Sequence, residues 1–207
     1  MARPVFARMY PRIAGRAEGR GGAAHRRRAL AGLRGRVVEV GAGHGANFRH
    51  YPATVDEVVA IEPEPHLRER ARLAAREAPV PVSVRDGVAE RLPGEAQSFD
   101  AGVVSLVLCT VPDQGRALAE LHRVIRLDGE LRFYEHVASQ SAWEARVQRL
   151  ADLTVWPRIS GGCHMARDTT AAIERAGFQI ETLERFGFSP LASLPPAPHV
   201  LGVARRG

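Results

Sequence analysis

The sequence predicts an α/β fold in which a doubly wound, mostly parallel sheet of seven strands carries helices on both faces. Short apolar runs rich in β-branched residues alternate with amphipathic stretches along the 207 residues, as in parallel sheets joined by crossover helices. A glycine-rich turn follows the first apolar run, where such folds bring a loop against a ligand. The last two strand-like runs have no helix between them, which predicts an antiparallel end to the sheet.

Each predicted strand is a short apolar or alternating run that ends at a turn residue or a polar cluster. The predicted strands are Arg36–Val40, Glu57–Glu62, Pro81–Arg85, Phe99–Ser105, Glu130–His136, Phe178–Arg185 and His199–Arg205. Six stretches show helical periodicity or helix-terminating residues. The predicted helices are His25–Leu33, Ala46–Tyr51, His66–Glu77, Asp113–Ile125, Ala142–Leu153 and Arg167–Ala176.

The chain divides into an N-terminal arm with one helix (residues 1–35) and one domain (residues 36–207). Apolar residues at Phe6, Met9 and Tyr10, followed by a glycine hinge, predict that the arm acts as a lid over a site. Residues 138–166 form an insertion after the fifth strand. Because ligands bind outside the carboxyl ends of the strands in open α/β sheets, this insertion is predicted to roof a substrate.

The composition excludes several classes of function. All 29 basic residues are arginines, so lysine-dependent phosphate loops, Schiff bases and lysine nucleophiles are absent. The net charge is +6, but the arginines are scattered and alternate with glutamates, so no nucleic-acid partner is expected. Cys109 and Cys163 are too few and too far apart to indicate a disulfide framework or a metal site.

No apolar run is long enough to cross a membrane. The longest, Ala101–Val111, falls well short of the length that a transmembrane helix needs. We therefore expect no transmembrane segment and a cytoplasmic location, and the sequence leaves the oligomeric state open.

The most informative stretch is the end of the first strand and the loop after it, Val37-Val38-Glu39-Val40-Gly41-Ala42-Gly43-His44-Gly45-Ala46-Asn47. Glycines at alternate positions permit a tight turn and let the main chain approach a ligand closely. Glu39 ends a buried strand and needs partners, which are either nearby backbone amides or groups of a ligand.

The acid-x-Gly-x-Gly-x-Gly pattern resembles motif I of the class I S-adenosylmethionine-dependent methyltransferases, which have a Rossmann-like fold. The resemblance implies that S-adenosylmethionine is the cofactor and that Glu39 orients water or the ammonium group of its amino-acid tail. The loop residues that the resemblance assigns to the cofactor are Gly41, Ala42, Gly43, Gly45 and Asn47.

Glu62 ends the second strand about twenty residues after the loop, where Rossmann-type folds place an acid that accepts hydrogen bonds from ribose hydroxyls. On its own it is equally compatible with a solvated acid at a helix start, and the upstream loop favours the ribose role. Pro63 is then expected to lie against the adenine, although it is equally compatible with the core.

Two later segments extend the resemblance. The segment Val88-Ala89-Glu90-Arg91-Leu92-Pro93 is similar to the family's Gly-Asp-Ala-Glu-x-Leu-Pro, which contacts the adenine. Because Val88 replaces the family's Asp, adenine recognition is expected from backbone groups of Val88 and Ala89 or from Glu90. After the fourth strand, Ser105 and Leu106 are expected to border the methionine moiety.

A narrower resemblance to the alkyl-thiol methyltransferases of animals and their bacterial relatives is carried by Gly45–Pro52, Leu106–Val111, Glu135–Ala138 and Gly161–His164. It implies a small-molecule acceptor with a thiol sulfur. A thiol of pKa about 8.5 needs little help from a base, in keeping with the lack of an obvious strong base. His136 is the first candidate for acid–base or orienting work, His164 in the roof is the second, and Tyr10 in the arm is the third.

Two alternatives stay open. One is methylation of a lipid amine or of a quinone or phenolic acceptor, which the same family resemblance allows. The other is an RNA-binding or RNA-modifying protein that uses the Arg-rich arm. Against it, no Asn/Asp-Pro-Pro-Tyr/Phe signature for an extruded base follows the fourth strand.

Overall fold

Seven strands form one sheet in the computed structural model, which describes residues 11, 14–154, 156–190 and 195–207. The strands are β1 (Gly35–Val40), β2 (Val55–Ile61), β3 (Val82–Arg85), β4 (Phe99–Ser105), β5 (Ile125–His136), β6 (Phe178–Phe188) and β7 (Ala197–Arg206). Their order in space is β3-β2-β1-β4-β5-β7-β6. Strands β1 to β5 pair in parallel, and β7 runs antiparallel to both β5 and β6. The predicted fold class is confirmed.

The central strands are buried on both faces, because they are continuous apolar runs. Side chains alternate between the two faces, so Val38 and Val40 belong to one core cluster while Val37 belongs to the other. The aromatic rings of Phe99 and Phe133 lie in the first cluster, and Phe48 and Tyr51 lie in the second. The two cores hold the carboxyl ends of β1, β2, β4 and β5 at one edge.

Six α-helices are described: α1 (Ala23–Leu30), α2 (Pro65–Ala75), α3 (Gln114–Val124), α4 (Ala142–Asp152), α5 (Trp156–Ile159) and α6 (Thr169–Arg175). Carboxylate caps start three of them, since Glu64, Asp113 and Asp168 accept hydrogen bonds from the backbone amides of Leu67, Arg116 and Ala171 at 2.9, 3.0 and 3.1 Å. An Asp or Glu before an amphipathic stretch therefore indicates a helix start in this sequence.

The predicted helix over Ala46–Tyr51 is wrong, because only a 3₁₀ turn, Phe48–His50, forms there. Asn47 and Tyr51 turn their polar groups inward to a buried carboxylate, and Pro52 follows at once. Most other boundaries differ by a few residues. The fifth strand starts at Ile125, five residues before its predicted beginning, because Ile125 already pairs with Phe99 of β4; the register then shifts, with Asp128 at a φ of 58°, before pairing resumes at Glu130.

The arm enters the described part of the chain close to α1. A π-helical turn, Glu18–Gly22, precedes α1 and contains Gly21 at a φ of 117°, so the predicted glycine hinge coincides with a kink. Phe6, Met9 and Tyr10 lie outside the described residues. Across the described ranges, no helix combines the length and the apolar character that a membrane span requires.

The seating of β7 between β5 and β6 depends on the small size of Gly202. A Cβ atom added there would lie 2.3 Å from the carbonyl oxygen of Thr182 and 2.5 Å from Cζ of Phe133. We expect Gly202→Ala to lower the free energy of unfolding by about 1–3 kcal/mol, because the sheet must shift to admit the methyl group. Chemical denaturation measures the change.

Gly15→Ala is the matched control, since a Cβ atom at Gly15 meets no atom of the described residues within 4 Å beyond its own helix and its chain neighbours. It should leave stability unchanged or raise it slightly. Equal stability of the two variants would contradict the packing argument for Gly202.

Candidate active site

The carboxyl ends of β1 and β4 lie side by side, with the chain leaving β1 toward β2 on one side and β4 toward β5 on the other. This is the topological switch point, at which open α/β sheets bind ligands. The glycine loop, the end of β2 and the exits of β4 and β5 all converge there.

The glycine loop is fixed against the end of β2. The backbone amides of Gly41 and Ala42 both donate to the carbonyl of Ile61, at 2.8 and 3.1 Å. Gly41, Gly43 and Gly45 have φ values of 66°, 59° and 84°, which side-chain-bearing residues rarely adopt. At Gly41 the requirement is also steric, because a Cβ atom would lie 2.4 Å from Cγ2 of Val107.

Two backbone amides, one from the glycine loop and one from the start of α2, hold the carboxylate of Glu62. One carboxylate oxygen accepts from the amide of Gly43 at 2.8 Å, and the other accepts from the amide of Glu64 at 2.9 Å. The side chain is buried, and burial raises its pKa above the usual value while the two amides oppose that effect. Since each carboxylate oxygen has two acceptor sites, Glu62 retains capacity for two further donors, as a ribose diol would supply.

Glu39 lies deeper and is fully enclosed by protein groups. It accepts hydrogen bonds from the Asn47 amide at 3.0 Å and from the Tyr51 hydroxyl at 2.6 Å. Burial raises the pKa of Glu39 to about 7, and burial together with Glu39 raises that of Tyr51. The Asn47 amide also donates to Oγ of Ser105 at 3.1 Å, so it ties the ends of β1 and β4 together.

The helix of the arm enters this network. The guanidinium of Arg26 on α1 donates to Oδ1 of Asn47 at 2.9 Å and to a carboxylate oxygen of Glu18 at 2.8 Å. Glu18 also pairs with Arg49 at 3.0 Å, just after the glycine loop. Arg26 and Glu18 were not among the predicted site residues. A sequence signal for Glu18 does exist, because it is the single acid within the Arg-rich residues 1–36.

The residues predicted to lie near the adenine differ in exposure and in their hydrogen-bond partners. Val88 is 44% exposed, whereas Ala89 is buried in the core. The carboxylate of Glu90 accepts from the amide of Asp113 at 3.2 Å, which directs it toward the start of α3. Asp86 pairs with Arg68 at 2.9 Å and lies at the surface. Pro63 is also exposed.

A third buried carboxylate, that of Glu135, shapes the exit of β4. Glu135 accepts hydrogen bonds from three successive backbone amides, those of Val107, Leu108 and Cys109, at 2.9, 3.1 and 3.3 Å. Burial raises the pKa of Glu135 to about 7, and the three amides act in the opposite direction. Just before them, Leu106 adopts a φ of 59° and its amide donates to the carbonyl of Tyr134 at 2.7 Å. The loop predicted to border the methionine moiety is therefore held by β5.

His136 follows Glu135 and is buried. Its ring meets that of His199 edge-on, with 5.2 Å between the centroids, and its Nδ1 lies 3.8 Å from Sγ of Cys163. His199 donates from Nδ1 to the carbonyl of Ala197 at 2.8 Å, and burial lowers its pKa to about 4, so it is neutral near pH 7. The sequence did not single out His199, because β7 is adjacent to β5 only in space.

The two cysteines, distant in sequence, meet in the roof. Cys109 and Cys163 are both free thiols in contact, and the amide of His164 donates to the carbonyl of Cys109 at 2.8 Å. The hydrogen bond from Cys109 and the proximity of His136 lower the pKa of Cys163, while the same contact and burial raise that of Cys109. The side chain of His164 is partly exposed. The structure thus brings the ring of His136 and the backbone amide of His164 to the same pair of cysteines.

A cleft of about 270 Å³ opens at the same edge of the sheet, beside His136. Its walls come from the exit of β5, the end of β6 and the start of β7. Val137, Phe186, Pro198 and His199 supply its apolar and aromatic lining, and Arg185 supplies a cation. The cleft is small, and its lining combines these apolar and aromatic groups with the polar side chains of Ser139, Gln140 and Arg185.

Comparison with known proteins agrees with this geometry. A model of a methyltransferase domain matches residues 38–133. The chain is 36% identical over 184 residues to the human thiol S-methyltransferase TMT1B, an alignment that covers 84% of this chain and 73% of that protein. The chain belongs to the S-adenosylmethionine-dependent methyltransferases. It is an enzyme of that class, and S-adenosylmethionine is its cofactor.

Two further relatives bear on the fold and on the acceptor. A chloroplast 2-methyl-6-phytyl-1,4-hydroquinone methyltransferase of rice is 36% identical over 96 residues, which cover 45% of this chain and 27% of that protein. The crystal structure of a putative methyltransferase from Bacillus halodurans superposes with a TM-score of 0.72 at 16% identity, covering 88% of this chain and 97% of the other. At that identity the superposition supports the fold alone.

The residues present suit the cofactor. Glu62 offers an acceptor for ribose hydroxyls that two amides already orient. The glycine loop brings backbone close to the end of β2, and the exits of β4 and β5 form the wall opposite it.

Loss of the Glu135 carboxylate should unfasten the loop after β4. In Glu135→Ala, three buried amides lose their acceptor, at about 1–3 kcal/mol each where no water replaces it. We therefore expect a fall of at least about 3 kcal/mol in the free energy of unfolding, measured by denaturant titration. Glu181→Ala removes an exposed carboxylate that pairs with Arg205 and should lower stability far less, because water screens the pair. Similar losses in both variants would refute the role assigned to Glu135.

Loss of the Glu62 carboxylate should lower the affinity for the cofactor. We expect Glu62→Ala to weaken S-adenosylmethionine and S-adenosylhomocysteine binding by about 1–3 kcal/mol, or about 5- to 150-fold, because ribose hydrogen bonds are lost. Isothermal titration calorimetry measures the affinity. Glu69→Ala, an exposed site on α2, is the control and should bind as the wild type does. Wild-type affinity in a folded Glu62→Ala protein would overturn the assignment.

Proposed function

We propose that this enzyme transfers the methyl group of S-adenosylmethionine to the sulfur of a small-molecule thiol. The observation that carries the proposal is the 36% identity to a human thiol S-methyltransferase over 84% of this chain. The chemistry of the acceptor side supports it.

The carboxylates at this edge of the sheet are engaged in holding the protein. Glu39 accepts from Asn47 and Tyr51, and Glu135 accepts from three backbone amides. Among the described residues, the acceptor side carries His136, His199, the thiol of Cys163 and the cation of Arg185. Such a site suits an acceptor that ionises by itself, and a thiol of pKa about 8.5 does so near neutral pH. An alcohol or a phenol would need a stronger base.

In this proposal the residues act by positioning and by excluding water. Glu62 orients the cofactor through its ribose, and the backbone of the glycine loop and of Val88 and Ala89 encloses it. Ser105 and Leu106 form the wall beside the amino-acid tail. The bound cofactor supplies the methyl group on a cationic sulfonium, and the cleft beside His136 holds the thiolate in line with it.

His136 is proposed to orient or assist the acceptor. Its ring is held between the ring of His199 and the thiol of Cys163, which suits a positioning role. His164 is proposed as a secondary contact from the roof. The arm is proposed as a lid, and α1 gives that idea a physical basis, because Arg26 joins the arm to Asn47.

A quinone or phenolic acceptor is the alternative, favoured by the match of 96 residues to a hydroquinone methyltransferase. Methylation of a lipid amine has no comparable observation in its favour. The rings of Phe186 and His199 in the cleft suit an aromatic acceptor. A phenol, however, would need a stronger base than the acceptor side provides.

The pH dependence of turnover separates the two acceptors. If the thiolate is the attacking species, the rate should rise with pH toward the pKa of the thiol itself and should move down when a more acidic thiol is used. Initial rates with three thiols of different pKa, measured in wild type and in His136→Ala, test this. We expect His136→Ala to lower the rate by less than about tenfold, since an essential base would cost about 10²–10⁴-fold.

His66→Ala provides a matched control on the exposed surface of α2. A pH profile that stays fixed as the thiol changes would point to an enzyme base and contradict the proposal. Turnover of a hydroquinone or an amine with no turnover of any thiol would replace it by the alternative.

A further inference from the structure

Helix α4 in the roof presents its apolar side chains to solvent. Trp143, Val147, Leu150 and Leu153 are 72%, 50%, 62% and 84% exposed, and Ile159 on the neighbouring α5 is 64% exposed. The first three follow one another at helical spacing on one side of α4, and Leu153 caps the C-terminal end of the helix on the same side. We name these five residues the α4 apolar face. An exposed apolar patch of this kind marks a site of interaction with a protein or a membrane.

The opposite side of α4, which faces the domain, is polar. The amide of Gln148 donates to the carbonyl of Val137 at 3.3 Å, and its oxygen accepts from the amide of Ser139 at 2.7 Å. The carboxylate of Asp152 accepts from the amides of Met165 and Ala166 at 2.7 and 2.9 Å. Helices of globular proteins ordinarily turn their apolar stripe to the core. Here hydrogen bonds fasten the helix, and the apolar stripe stays outside.

Three exposed arginines lie beside the α4 apolar face, Arg146 and Arg149 along one flank of α4 and Arg158 on α5. Arg146, Arg149 and Arg158 are exposed, and none of them forms an ion pair with another described residue. The two acids of α4 are engaged elsewhere, Asp152 with backbone amides and Glu144 with the hydroxyl of Ser139. The face therefore combines an indole and aliphatic side chains with a flank of arginines.

We propose that the α4 apolar face docks into the headgroup region of a membrane that carries anionic lipids. A tryptophan and leucines flanked by arginines is the pattern by which a helix lies in the plane of a bilayer interface. Anionic headgroups complement Arg146, Arg149 and Arg158, and the apolar side chains enter the boundary of the acyl chains. A second copy fits less well, because a two-fold contact would bring the same arginines together.

The docked orientation follows from the contacts of α4. The helix rests on the exit of β5, through Val137 and Ser139, and on Met165 and Ala166 of the roof. A bilayer on its outer side thus faces the segment that covers the acceptor side of the site. The docking does not depend on the identity of the methyl acceptor.

Co-sedimentation of the full chain with vesicles tests the proposal. We expect binding to vesicles of phosphatidylcholine mixed with phosphatidylglycerol and weaker binding to phosphatidylcholine alone. Leu150→Glu should weaken the binding at least about tenfold, because a charge replaces a buried apolar side chain. Arg146→Gln and Arg149→Gln should each weaken it about fivefold, and only on the anionic vesicles.

Leu73→Glu is the matched control, because Leu73 is 51% exposed on α2, away from this face. Circular dichroism verifies that each variant is folded. A second readout is the fluorescence of Trp143 in Trp156→Phe, which should shift to the blue on addition of anionic vesicles.

Three results would overturn the proposal. One is the lack of binding to anionic vesicles together with an unshifted Trp143 emission. Another is an equal effect of Leu73→Glu and Leu150→Glu. The third is a dimer of the wild type that Leu150→Glu dissociates in the absence of lipid, since a second copy would then cover the face.

Discussion

A carboxylate at the buried end of a strand must find hydrogen-bond donors, and this requirement organises the carboxyl edge of the sheet. Glu39 at the end of β1 gathers Asn47 and Tyr51, and Glu135 at the end of β5 gathers three amides of the loop after β4. Each carboxylate converts a loop into a fixed wall. We propose that the cofactor binds between these walls, whose shape is set by hydrogen bonds within the protein.

The same requirement connects the arm to the domain. Asn47 donates its amide protons to Glu39 and Ser105 and leaves its oxygen to accept from Arg26, which in turn binds Glu18. A chain of buried polar groups of this kind is stabilising only when every member is satisfied. The N-terminal helix is therefore linked to the end of β1, because three hydrogen bonds connect Glu18 to Glu39 through Arg26 and Asn47.

The sequence predicted the fold and the glycine loop well, because these depend on local patterns. Alternating apolar runs, capping acids such as Glu64, and glycines at alternate positions each have a local physical cause. The positions of Gly41 and Gly43 beside Glu62 followed from those patterns and from chain order.

The partners of buried groups were harder to predict, because they come from distant parts of the chain. His199 reaches His136 only through the pairing of β7 with β5, and Cys109 reaches Cys163 only through the folding of the roof. The helix predicted over Ala46–Tyr51 failed for the same reason, since the demand of Glu39 for donors outweighed local helical preference. The exposure of the apolar side of α4 could not be predicted either, because helical periodicity does not tell which side of a helix faces the domain.

Leu106 has a consequence for the variation that this enzyme can tolerate. Its φ of 59° lies in the left-handed region, which glycine, asparagine and aspartate enter readily and which β-branched residues resist. Valine or isoleucine would extend the apolar run of β4 and would look conservative in a sequence comparison. Either would instead push the chain back toward an extended path and draw the amides of the next three residues away from Glu135. Among homologues, the residue at this position is thus expected to be chosen by backbone conformation rather than by hydrophobicity.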